Sequence, residues 1–97
     1  MNKEDIQFEI RFADQLTTKL LESRPDDEDL LGVKVALDRI RKMVSGNWPL
    51  GPAERKQINI GLYAVRVLDG GLYGELPGRL MSLVRTVLFI SSVFGSL

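Results

Sequence analysis

Neither histidine nor cysteine occurs among the 97 residues of this chain. Those side chains supply most neutral-pH proton shuttles, soft-metal ligands and thiol nucleophiles, so their chemistry is excluded by composition. The lack of cysteine also rules out disulfides and fits a reducing, cytoplasmic setting. An excess of either charge is missing as well. Thirteen Lys and Arg balance thirteen Asp and Glu, for a formal net charge of zero. Nucleic-acid binders carry a basic surplus, and this chain has none. No strained nucleophile turn, glycine-rich phosphate cradle or carboxylate loop of metal-binding type is present. We therefore expect no catalytic residue, no cofactor and no metal, and read the chain as a binder and not an enzyme.

Long apolar runs are scarce too. Leu80 to Leu97 is apolar apart from Arg85, a few hydroxyls and Gly95, and its uncharged part after Arg85 has only twelve residues. A spanning helix needs about 20 predominantly apolar residues, so a buried terminal helix is expected there and no membrane partner. Met1 to Leu16 mixes acids and bases at every turn and lacks the apolar stretch of a secretory signal. The 44% hydrophobic content suits a single domain with its own core.

What the chain does contain is helical periodicity. The first helix is predicted from about Lys3 to Ser23, with Asn2 as N-cap and Glu4 and Asp5 in the first turn. Ile6, Ile10, Ala13, Leu16 and Leu20 form its apolar stripe, which Phe8 and Phe12 widen or extend toward another helix. Arg24-Pro25 ends it. Asp26 to Asp29 open a second helix whose stripe is Leu30, Val33, Leu37, Ile40 and Val44, closed by Ser45-Gly46. Pro52 starts a third helix with Ile58, Leu62, Val65 and Leu68 inward, Gly61 and Ala64 thin, and Asp69-Gly70-Gly71 as the stop. Leu72 to Leu76 reads equally as turn, irregular loop or short helical turn. Pro77 restarts helix, with Leu80, Leu83, Val84, Val87, Leu88 and Ser91 at helical spacing to near Phe94. Four helices with short loops predict an all-α, compact antiparallel bundle in one domain spanning residues 1–97.

Two groups stand out as candidate partner-binding residues. Asp26, Asp27, Glu28 and Asp29 either cap and solvate the second helix or form an acidic lip that steers a basic partner. Trp48, beside Asn47 and Pro49, either plugs one end of the bundle or anchors an interface, where tryptophan is enriched. Tyr63 and Tyr73 carry the same two readings, with Tyr73 expected at the surface. Glu4, Asp5 and Glu9 read as a solvated face. Arg39, Arg41 and Lys42 suit the negative end of the second helix and lack the aromatics of an RNA site.

The helix pattern resembles a bacterial immunity family, the small all-helical proteins that neutralise NAD(P)+-degrading toxin domains delivered by type VI secretion. The resemblance runs from about Ile10 to Leu80. It is carried by Ala13, Leu16 and Leu20 before Pro25, then Glu28, Leu30 and Leu31 with Leu37, Ile40 and Arg41. Gly61, Ala64-Val65, Arg66 and Leu68-Asp69 follow, and Glu75, Leu76 and Leu80 complete it. The chain departs from the family in a longer Gly46 to Gly51 loop carrying Trp48, in extra acids after Pro25 and in an apolar C-terminus. The resemblance implies a cytoplasmic inhibitor that covers the nicotinamide-nucleotide cleft of a cognate toxin. Two other readings stand beside it: a helical adaptor docking a partner helix through the apolar C-terminal face, and a homodimer built on that same helix.

Overall fold

The computed structural model describes residues 2–65 and 73–94, with side chains to residue 58 in the first stretch and to residue 93 in the second. The chain is all-α. Among the described residues there are four helices, α1 (Lys3–Ser23), α2 (Glu28–Gly46), α3 (Pro52–Val65) and α4 (Leu76–Phe94), and no strand. The expectations for the side chains of Gly61, Leu62, Tyr63, Ala64, Val65 and Phe94, and for Leu68 and the Asp69-Gly70-Gly71 stop, lie outside what is described.

Local chemistry sets the helix ends. The Asn2 side chain accepts from the Asp5 backbone N–H at 2.9 Å, while the Asp5 carboxylate accepts from the Asn2 N–H at 3.3 Å, a reciprocal capping box. Arg24, restrained by Pro25, closes α1 with its N–H on the Leu20 carbonyl. Asp27 caps α2 by accepting from Asp29 and Leu30 N–H at 3.0 and 3.1 Å. Tyr73 to Glu75 form the turn before α4, where Gly74 has φ +59°, a left-handed conformation that costs glycine nothing. Helix α4 begins one residue ahead of expectation, at Leu76. Pro77 still fits its first turn, where a missing N–H goes unused.

Helix α1 packs on α2 and α4, and α3 packs on the same two; among the described residues the diagonal pairs make no contact. The ammonium of Lys3, at the start of α1, donates to the carbonyl of Ser45, near the end of α2, at 3.0 Å. Lys34 meets Asp14 midway at 3.0 Å, so these two helices run in opposite directions. Among the described residues, the core inside this ring comprises Ile6, Ile10 and Ala13 of α1, Leu30, Val33, Leu37, Ile40 and Val44 of α2, and Ile58 of α3. Leu50, Tyr73 and Leu76, Leu80, Leu83, Val84 and Val87 of α4 complete it. Burying one such aliphatic side chain contributes roughly 1.5–3 kcal/mol.

The α1 stripe differs from expectation in its second half. Leu16 and Leu20 are only half-buried, and Thr17 occupies the core position instead. The row from Ala13 continues four residues on, and the Thr17 hydroxyl is satisfied inside its own helix by donating to the Ala13 carbonyl at 2.8 Å. Leu76–Val93 is long and apolar enough to cross a bilayer by length and composition. Six of its residues, Leu76, Leu80, Leu83, Val84, Val87 and Ser91, are instead buried against the rest of the molecule.

Candidate functional site

The acidic segment after Pro25 divides into two kinds of residue. Asp27 faces inward: besides capping α2, its second carboxylate oxygen accepts from the Tyr73 hydroxyl at 2.9 Å. The Arg24 guanidinium stacks over the Tyr73 ring, 5.4 Å from its centroid. Three chain segments meet at this clasp: the end of α1, the start of α2 and the turn before α4. The Leu30 N–H is the largest cause holding the Asp27 carboxyl below the usual carboxylate range, and Tyr73, Asp29 and the nearby Arg24 charge add to it. The bond to Asp27, reinforced by burial, pushes the Tyr73 phenol up. Tyr73, expected at the surface, is buried. Its ring is covered by Arg24 and its hydroxyl has a partner within reach, the usual condition for burying tyrosine.

Asp26, Glu28 and Asp29 differ. All three are exposed, and no ion pair involves them among the described residues. They form an acidic rim on a turn whose backbone the clasp holds in place. Of the four acids predicted to meet a partner, Asp27 therefore supports the other three.

Asn47 and Trp48 sit at the far end of α2. Asn47 is exposed, closes the helix with its N–H on the Met43 carbonyl, and donates from its side chain to Glu54 at 3.2 Å. Trp48 is half-buried and packs against the core, leaving part of its indole at the surface. Helix α2 has 19 residues, and at about 1.5 Å per residue it holds the two groups roughly 28 Å apart. The acids and the tryptophan loop thus lie at opposite ends of one helix.

A groove of about 320 Å³ runs between α1 and α2, lined by Ile10, Arg11, Asp14, Lys34, Leu37, Asp38 and Arg41. Its acids are already answered. Asp14 holds Lys34, and Asp38 pairs with Arg41 and, at 3.1 Å, with Lys42. The hydrogen bond from Arg41, then that from Lys42, keeps the Asp38 carboxyl below its ordinary value. Both carboxylates are thus already engaged by neighbouring cations. Among the described residues no group of three or more acids is placed to hold a metal ion.

Exposed apolar side chains form the remaining candidates. Phe8 points to solvent instead of widening the α1 stripe, while Phe12 lies under the Arg79 guanidinium, 4.4 Å from the ring centroid. Leu31 and Val35 are exposed one turn apart on α2, as are Phe89 and Val93 on α4. Sequence periodicity contained this signal, since neither pair lies on its helix's core stripe. No family model, curated protein or solved structure matches the chain.

Proposed function

We propose that this protein is a cytoplasmic immunity protein that seats its acidic rim on a cognate secreted toxin and blocks the toxin's active site. The carrying observation is the rim of Asp26, Glu28 and Asp29, exposed and outside every ion pair of the described residues, at the entry to α2 beside the Arg24–Tyr73–Asp27 clasp. A preorganised charged surface loses little conformational entropy on binding and speeds encounter with a surface of opposite sign. The resemblance to inhibitors of NAD(P)+ glycohydrolase toxins names the target class and type VI secretion as its delivery route. A molecule without histidine or cysteine can perform such inhibition, because occlusion needs fit and no bond-making.

The test is co-expression with the toxin domain encoded beside its gene, followed by NAD+ consumption in the lysate. Protection is expected from the wild type. Full toxin activity in the presence of soluble, folded protein refutes the proposal. Replacing Asp26, Glu28 and Asp29 with their amides is expected to slow association and flatten its dependence on salt, with the fold intact.

The adaptor reading draws on Phe89 and Val93, which α4 leaves exposed. Trimming the C-terminus would not isolate that role, because Ser91 is buried and bonded to the α3 side of the molecule. Phe89→Ser with Val93→Ser removes the apolar pair alone. Toxin binding that survives this change separates the two readings.

A further inference from the structure

We propose that the outward face of α2 is a self-association surface on which a second copy of this chain lays its own α2 antiparallel across a two-fold axis. Leu31 is 46% and Val35 62% exposed. With Glu28 and Arg39 they follow steps of three, four and four residues, which places all four on one helical face. Gly32 lies beside them. A Cβ added there would meet nothing within 4 Å, so this fold does not require glycine at that position. Glycine inside a helix is destabilising, and what it permits in return is close approach of another backbone. A second helix against this face supplies that approach.

The charges specify the occupant. Glu28 precedes the apolar pair by one turn and Arg39 follows it by one turn. Both are exposed, and neither belongs to an ion pair among the described residues. Lys42, farther along, is held by Asp38. When Leu31 of one copy packs on Val35 of the other in antiparallel sense, Glu28 of each falls opposite Arg39 of the other. The symmetry makes this pairing twice. A parallel arrangement would set Glu28 against Glu28, so the charges select the antiparallel one. Phe89 and Val93 on α4 lack this pattern: Arg85 is nearby, and α4 contains no acid to answer it. Two half-exposed aliphatic side chains cover little of the roughly 800 Å² per partner in a standard interface, which makes the dimer a weak one. Zero net charge leaves little long-range repulsion to oppose it.

Sedimentation of the chain alone, from about 10 µM to 1 mM, tests this without any toxin, so its failure leaves the immunity reading untouched. Wild type is expected to dimerise at high micromolar concentration, less so in high salt. Glu28→Arg and Arg39→Glu should each weaken the dimer about tenfold, because an exposed ion pair worth a factor of a few is broken twice. The double swap should recover affinity to within about threefold of wild type. Val35→Asp should leave a folded monomer, its helicity checked by circular dichroism. A wild type monomeric across the whole range overturns the proposal. So does a dimer indifferent to both charge swaps, which would place the contact elsewhere.

Discussion

Asp27 accepts three hydrogen bonds, two from the first turn of α2 and one from a tyrosine 46 positions along the chain. A single carboxylate thereby ends one loop and anchors another. Asp27→Ala removes the cap and leaves the Tyr73 hydroxyl without its acceptor, and should lower the melting temperature by about 5 °C. Asn is an equally good cap, so Asp27→Asn should cost less while removing the charge. The pH dependence follows from three shifted groups. Asp27 has a lowered folded pKa, so its contribution is complete above the ordinary carboxylate value and disappears as pH falls through the lowered one. Asp38 acts in the same direction. Tyr73 has a raised value, so its contribution is present below the ordinary phenol pKa and vanishes as pH rises through the raised one. Melting curves across pH should show a shallower acid limb for Asp27→Asn and a shallower alkaline limb for Tyr73→Phe. Unchanged limbs would mean the clasp is open in solution.

Between elements, the end of α4 is stitched to the loop before α3 and to the first turn of α3 by one buried residue. The Ser91 hydroxyl accepts from the buried Leu50 N–H at 3.0 Å, and the Ser91 carbonyl accepts from the Arg55 guanidinium at 2.7 Å. Ser91→Ala leaves the Leu50 N–H buried and unpaired, a loss of about 1–3 kcal/mol measurable by urea denaturation. Gly32 presents the opposite case, a helical position where a methyl group meets open space. Gly32→Ala should raise stability by about 0.5–1 kcal/mol in the same assay. The helix ends were legible in the sequence because Asn2 with Asp5, Pro25, Pro52 and Pro77 act within one turn of themselves. Thr17 displacing Leu16 from the core was not legible. Hydropathy ranks leucine above threonine, whereas the position relative to neighbouring helices decides which is enclosed.

At the scale of the molecule, a ring of four helices 44 Å long and 19 Å across its thinnest direction leaves every helix an outward face. Phe89→Ser with Val93→Ser should leave the melting temperature within a few degrees of wild type, since substitutions at exposed sites stay near ±0.5 kcal/mol each. A large drop would show α4 packed more deeply than this fold has it. The candidate site was legible in part. Composition marked Asp26 to Asp29 and Trp48 as unusual, and helical periodicity already set the acids and the indole at opposite ends of the second helix, yet linear order could not say that Asp27 turns inward onto Tyr73.

By itself the sequence determined what operates over a few residues: four helices, the cap at Asn2, the breaks at Pro25, Pro52 and Pro77, the inward stripe of α2 and the lack of histidine and cysteine chemistry. Only the tertiary structure decided which polar groups are internal. The contacts joining Asp27 to Tyr73, Leu50 to Ser91 and Arg55 to Ser91 bridge 46, 41 and 36 positions. Periodicity reports the direction a side chain takes from its own helix axis. What waits in that direction, water or another segment, is set by how the helices pack.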